Sequence, residues 1–209
     1  MDEAVIPPGT RRWLAANGLR AGRISGWDAS QLTSKSTEDE STRLLREANV
    51  LSDFETRRKR LTCRDSQPVT LAVRRALEGE HPTLVRTPDG LIGRSLSNPQ
   101  FTLQMKTFLL DDGRLAVNLL PEIQHGQLKQ NFVANESLAF RMDFRRELWS
   151  LNDLAMDVPL ATGQAIVIAP TEDAFGLGQQ MLIGRRADGG EERVAVIIQL
   201  GRLPQQTMQ

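Results

Sequence analysis

Apolar and polar positions follow two different patterns on either side of residue 100. Upstream, short helical signals alternate with polar stretches. Downstream, apolar residues recur with the period of two that is typical of half-buried strands. The alternating runs lie at 101–109, 115–119, 140–144 and 154–160, and the run 165–168 lacks a polar face, as in a central strand. The pattern predicts an α+β class, predominantly β, with antiparallel hairpins forming a sheet or sandwich in residues 101–201.

Turn residues interrupt this alternating pattern at three places. Asp112-Gly113 separates two alternating runs, which is the strongest short-range signal for a β-hairpin. Asp188-Gly189-Gly190 predicts a second hairpin between strands at 181–186 and 193–200. Pro88-Asp89-Gly90 predicts a tight turn, because proline fixes φ and glycine accepts a positive φ. Pro159 indicates that the strand at 154–160 lies at a sheet edge or ends there. An edge that carries Pro159 could accept a partner strand.

The first hundred residues predict a small mixed α/β region. A short helix is expected at Thr10–Asn17, with Thr10 as its N-cap and Gly18 as its stop signal. Other expected elements are a strand at 19–25, a polar, mobile loop at 30–41, a helix at 43–50 and extended segments at 69–73, 83–86 and 91–94. The resulting domain prediction is a mixed α/β region at 1–97 and a β-rich domain at 98–209.

The cleanest strand periodicities predict the central core. Its expected members are Leu115, Val117, Leu119, Ile166, Ile168, Val194, Val196 and Ile198.

Composition excludes several classes of function. The chain has 209 residues with 26 basic and 26 acidic side chains, so no global charge attracts nucleic acid or anionic lipid. The single cysteine rules out an internal disulfide, and two histidines offer few metal ligands. We therefore expect no cofactor, no metal and no nucleic-acid partner.

The longest apolar runs are too short for a transmembrane helix, whereas contact of a strand pair with a membrane is left open. The N-terminus is acidic and contains two prolines, unlike a signal peptide. The chain as written is expected to be cytoplasmic. It would be periplasmic or in the outer envelope if its N-terminus were truncated.

Isolated reactive residues have structural explanations that we favour. Cys63 lacks a partner base and is expected to be a half-buried small hydrophobe, and His81 belongs to no recognisable motif. The basic cluster Arg57–Arg60, with Arg64 nearby, has no nucleic-acid-binding framework and predicts a solvated face or a contact with an acidic partner. Asp111-Asp112 is explained by hairpin chemistry, and Gly176-Leu177-Gly178 is expected to be a structural turn.

One alternative is an enzyme whose site lies near Glu122 and His125. A carboxylate that orients an imidazole makes a general base, provided that both side chains converge in a pocket. The blander interpretation of His125 is a loop histidine at the end of a strand.

The order of signals in the second half resembles a known family. The pieces are a strand at 101–110, an Asp-Gly turn, 114–123 (RLAVNLLPEI), 163–168 (GQAIVI), 176–178 (GLG) and 194–200 (VAVIIQL). Over about residues 100–201 this order is similar to the C-terminal β core of bacterial secretins, the pore subunits of type II and III secretion systems and type IV pili. Residues 17–22 (NGLRAG) also resemble a pattern in bacterial proteins without an established activity.

The secretin resemblance implies a module of the bacterial envelope or secretion apparatus. The family's V-P-x-L-x-x-I-P-x-x-G stretch is missing, which favours a secretin-like module without a pore. We therefore expect a non-enzymatic β-rich protein without catalytic residues. It would act by self-association or by binding a protein partner through an exposed strand edge.

Overall fold

The computed structural model describes residues 1–26, 61–134, 140–185 and 189–201, with the backbone alone between 130 and 144. Within these ranges, α1 (Pro8–Ala16), α2 (Gly176–Leu182) and a 3-10 turn (Asn152–Leu154) accompany the strands. The strands are β1 (Leu19–Ser25), β2 (Val69–Ala72), β3 (Glu80–Thr87), β4 (Gly90–Ser97), β5 (Gln100–Leu109), β6 (Leu115–Ala134), β7 (Phe140–Ser150), β8 (Met156–Leu160), β9 (Gln164–Pro170), β10 (Ile183–Arg185), β11 (Glu191–Arg193) and β12 (Val196–Gln199). The predicted β-rich α+β class is confirmed.

The largest sheet is antiparallel and is built around the long strand β6. Its order is β2-β5-β6-β7, and β8 pairs with β6 on the first residues of that strand. β5 and β6 form the hairpin predicted from Asp112-Gly113, with Gly113 at φ 77°. β8 pairs with no other strand in the described chain, so the predicted edge position of Pro159 is confirmed.

A second, three-stranded sheet has the order β1-β9-β12. β9 is its central strand, as the apolar run at 165–168 predicts, and β1 has the bounds that the sequence predicts. β1 therefore shares a sheet with β9 and β12, and β2 pairs with β5. Strands from both sides of the expected boundary at 97/98 thus belong to the same sheets.

Two smaller hairpins, β3–β4 and β10–β11, account for the rest of the strand pairing among the described residues. The turn predicted from Pro88-Asp89-Gly90 joins β3 to β4. The second predicted hairpin exists but is shorter than expected. Met181 and Leu182 end a helix, and the expected strand at 193–200 is divided between β11 and β12. The helix forms because Leu177, Met181 and Leu182 have helical spacing and are all buried on one face.

The first helix begins two residues earlier than the sequence predicts. Pro7 occupies the N-cap without a side-chain cap, so Thr10 is not the cap, and Pro8 is the first helical residue. Proline suits this position because its φ is already helical and its missing N–H has no partner in the first turn. The predicted stop at Gly18 is confirmed, with φ 74°.

One hydrophobic cluster joins the two larger sheets and both helices. Of the expected core, Val117, Leu119, Ile166 and Ile168 are fully buried, whereas Leu115, Val194, Val196 and Ile198 are only partly buried against it. Flanking elements supply further large buried side chains, including Phe101, Leu103, Met156, Leu160 and Leu14. The expected polar loop at 30–41, the helix at 43–50 and the basic cluster Arg57–Arg60 lie outside the described residues.

Candidate binding edge

Glu122 and His125 lie on opposite faces of β6, so the structure does not bring them together. The pairing with β7 is regular from Glu122 to His125, and successive side chains on a strand alternate between faces. Glu122 accepts hydrogen bonds from Ser150 Oγ (3.1 Å) and Gln104 Nε2 (3.4 Å) and is only 4% exposed. Glu122 therefore cannot orient the His125 imidazole as a general base, because the two side chains do not converge.

His125 sits inside a strand rather than in a loop, which corrects the interpretation of its sequence context. It pairs with Glu147 of β7 where the register shifts before Lys129, and its Nδ1 lies 3.8 Å from a Glu147 carboxylate oxygen. A hydrogen bond from the Lys129 ammonium group lowers the pKa of Glu147. These residues form a charged pairing on the surface of the β6–β7 hairpin.

The remaining reactive residues have local structural roles. Burial raises the pKa of the half-buried Cys63 thiol, which disfavours the nucleophilic thiolate. His81 Nε2 hydrogen-bonds with the Glu78 carbonyl oxygen (2.8 Å). Arg114 donates to Asp112 within the hairpin turn (2.7 Å) and lowers the pKa of that carboxyl group. Among the described residues, no three His, Cys, Asp or Glu side chains group as metal ligands would.

Gly176-Leu177-Gly178 opens helix α2 rather than forming a simple turn. The Gly178 N–H donates to the Asn17 carbonyl (2.8 Å), and a Cβ at Gly178 would lie 2.0 Å from the Gly18 carbonyl oxygen. A Cβ at Gly18 would in turn lie 2.3 Å from the Phe175 carbonyl oxygen. The backbones of the Asn17-Gly18 turn and the start of α2 are therefore in direct contact, and both glycines are required for it.

The buried Asn17 side chain completes the free edge of β3. Its Oδ1 accepts the Arg86 N–H, and its Nδ2 donates to the carbonyl oxygens of Arg86 and Trp13, each at 2.8 Å. The amide thus makes the two bonds that a neighbouring strand would make. Further along the same edge, Gln180 Nε2 donates to the Pro82 carbonyl (2.8 Å). Asn17 and α2 together close one side of the β3–β4 hairpin.

The opposite side of the hairpin, along β4, is open. Because Arg86 and Pro82 direct their backbone groups away from β4, their cross-strand partners Leu91 and Ser95 direct theirs away from β3. Gly93, which lies between them, also directs its N–H and C=O away from β3. No strand of the described chain pairs with this side, and residues 90–95 are all exposed. We call this row of backbone groups at Leu91, Gly93 and Ser95 the β4 edge.

Other strand edges in the described chain are shorter, covered or charged. β2, β8 and β12 have four or five residues each, and Asp2 pairs with Arg23 on the outer side of β1. The free side of β7 belongs to a strand with several charged residues (FRMDFRRELWS), and charge protects an edge from pairing. Only one charged residue, Arg94, occurs in β4.

Apolar side chains surround the β4 edge. Leu84, Leu91 and Ile92 are 51%, 58% and 38% exposed. The pairing register places Leu84 and Leu91 on the outer face of the hairpin and Ile92 on the inner face, opposite the buried Val85. Exposed apolar groups that border unpaired backbone groups are typical of a surface at which another chain binds.

A small cleft adjoins the same edge beneath Ile92. Its volume is about 120 Å³, and its walls come from β3, β4, the end of β7 and the 3-10 turn. Its lining includes the apolar residues Val85, Ile92, Trp149 and Leu154 together with Asp153. This volume is below the roughly 300 Å³ at which small-molecule sites begin, so the cleft fits a single side chain rather than a whole ligand.

No described helix combines the length and the apolar character needed to cross a bilayer. Comparison with protein-family models, curated proteins and solved structures gave no significant match. The resemblance to secretins therefore stays a prediction from the order of sequence signals.

Proposed function

We propose that this protein is a non-enzymatic β module that binds protein by strand addition at the β4 edge. The observation that carries the proposal is the row of outward N–H and C=O groups at Leu91, Gly93 and Ser95, exposed beside apolar side chains. In strand addition, main-chain hydrogen bonds supply affinity and pockets for alternate side chains supply selectivity. The cleft beneath Ile92 would take one such side chain.

The rest of the hairpin is held firmly, so the edge is formed before a partner arrives. Asn17 and Gln180 bond the far side of β3, and the side chains of Thr83, Val85 and Leu96 are buried beneath the hairpin. The Arg94 guanidinium stacks on Trp149, 4.3 Å from the ring centroid. A preformed edge lowers the ordering cost of association.

The similarity to the secretin β core extends this proposal to a cellular setting. It would place the protein in the bacterial envelope or the secretion apparatus, where modules of this kind assemble. Strand addition at β4 needs neither a pore nor a membrane-spanning element. The proposed mode of binding is therefore independent of the proposed setting.

The Ser95→Pro variant tests the proposal with little effect on the fold. Proline removes the outward N–H of Ser95 and leaves the β3–β4 ladder intact, because that N–H points away from β3 and makes no hydrogen bond to it. A displayed library of random peptides panned on the wild-type protein should enrich extended sequences that Ser95→Pro no longer binds. We expect a loss of affinity of at least about tenfold, equivalent to roughly 1.4 kcal/mol.

The matched control is Ser95→Ala, which also loses the 3.0 Å hydrogen bond from Ser95 Oγ to Glu80 but keeps the backbone N–H. It should bind the enriched peptides like the wild type. If Ser95→Pro binds them equally well, or if a monomeric wild-type protein enriches no peptide at all, the β4 edge is not a binding site.

A further inference from the structure

We infer that the strand added at the β4 edge comes from a second copy of this chain, so that two β3–β4 hairpins join into one four-stranded sheet. This inference rests on the proposed function and names its partner. The supporting observation is that the exposed run is self-complementary about Gly93. A two-fold axis through Gly93 produces an isologous interface, the commonest kind in homodimers.

Antiparallel pairing about Gly93 uses every outward group of the run. Gly93 faces Gly93 of the second copy, and Leu91 faces Ser95 in both directions. At each of these pairs both residues have outward N–H and C=O groups, so the pairs exchange hydrogen bonds as in a regular ladder. Registers centred on Leu91 or Ser95 are poorer because they would set strand residues against the turn at Pro88-Asp89 or against Pro99.

Side chains on the outer face favour the same register. Gly93 lies at the axis and has no side chain. A Cβ atom added to Gly93 would lie 3.0 Å from Leu84 Cδ2. Leu84 therefore covers the glycine, and Leu91 lies diagonally beside it. Pairing about Gly93 would merge the exposed Leu84 and Leu91 of both copies into one apolar patch across the four strands. Such cross-strand apolar neighbours stabilise sheets.

Charges on the inner face are compatible with this pairing. Arg94 of the second copy would lie directly opposite Ile92, beside the cleft whose lining includes Asp153. No two like charges would face each other within the paired run, because Arg94 is the only charged residue of β4. With its guanidinium held on Trp149 of its own chain, Arg94 presents only the apolar stem atoms of its side chain to the facing Ile92.

Single cysteines test both the partner and the register. In a Cys63→Ser background, Gly93→Cys would place two thiols across a hydrogen-bonded pair, about 5.5 Å apart at Cα, which a disulfide spans. Mild oxidation should convert most of this variant to a covalent dimer on non-reducing gels. A mixture of Leu91→Cys with Ser95→Cys should also crosslink.

Leu91→Cys alone is the matched control. Its two copies would be separated by four residues along the strand, roughly 13 Å, which is beyond disulfide reach. It should form no covalent dimer on non-reducing gels under the same oxidation. Native mass spectrometry of the wild type should show a dimer that Ser95→Pro loses and Ser95→Ala keeps.

Two results would overturn the inference. Equal crosslinking of Gly93→Cys and Leu91→Cys would mean random collision rather than a defined register. A wild type that stays monomeric at every concentration, yet binds library peptides in a manner sensitive to Ser95→Pro, would reject the second copy and leave strand addition standing. A wild type that stays monomeric and binds no library peptide would reject both pairing with a second copy and strand addition at the β4 edge.

Discussion

Replacing Gly178 by alanine is expected to lower the free energy of unfolding by about 3 kcal/mol or more. The new Cβ would lie 2.0 Å from the Gly18 carbonyl oxygen and 2.4 Å from its carbonyl carbon. These are backbone atoms, which cannot rotate away as the end of a side chain can. The Asn17-Gly18 turn must therefore move away from α2, and the hydrogen bond from the Gly178 N–H to the Asn17 carbonyl is lost.

Chemical denaturation of the variant and the wild type measures this effect, and Gly9→Ala is its matched control. Gly9 lies in α1, and a Cβ there meets nothing within 4 Å. Alanine at that position should leave stability unchanged or raise it by up to about 1 kcal/mol. If Gly178→Ala proves as harmless as Gly9→Ala, the close contact between the turn and α2 is not as described.

Asn17→Ala is expected to lower the free energy of unfolding by about 2–4 kcal/mol, because three hydrogen bonds are lost together. The N–H and C=O of Arg86 and the C=O of Trp13 would lose the partner that replaces a neighbouring strand. We also expect faster amide exchange at Arg86, since its N–H donates to the Asn17 side chain. Denaturation and hydrogen exchange report these two effects separately.

The control for this variant is Asn118→Ala. Asn118 makes a single exposed hydrogen bond to Asp157 (2.8 Å), so its loss should change stability by no more than about 0.5 kcal/mol. Equal effects of Asn17→Ala and Asn118→Ala would show that the Asn17 amide is not essential to the edge of β3.

Elements set by local signals could be predicted from the sequence. The hairpin at Asp112-Gly113 and the turn at Pro88-Asp89-Gly90 follow from the φ preferences of two or three residues. The apolar run at 165–168 identified the central strand of a sheet because a strand covered on both sides needs no polar face. These signals do not depend on which distant segment supplies the neighbours.

Elements set by distant contacts could not be predicted in this way. Helix α2 contains two glycines in its first turn, which argue against a helix, and it is stabilised by burial of Leu177, Met181 and Leu182. The Arg74 guanidinium also donates to the Gln180 carbonyl near the helix end (2.6 Å). The role of Asn17 depends on Arg86, which is 69 positions away in the chain.

The candidate site was only partly visible in the sequence. An exposed strand edge was expected as the binding site, but Pro159 predicted that edge in β8 and not in β4. The available signal was the adjacent pair Leu91-Ile92, which departs from strict alternation and places an apolar residue on each face of the hairpin. Glu122 and His125 are close in sequence, yet their odd spacing on a strand separates them.

Residue-resolved amide exchange along β4 tests the central claim most directly. The N–H groups of Ile92 and Arg94 bond to β3 and should be protected at every protein concentration. Those of Leu91, Gly93 and Ser95 point outward, so they should exchange rapidly in dilute protein and become protected as concentration rises and the second copy adds its strand. Uniform protection of all five amides in dilute protein would contradict an open β4 edge. Outward amides that stay unprotected at high concentration would contradict its pairing with a second copy.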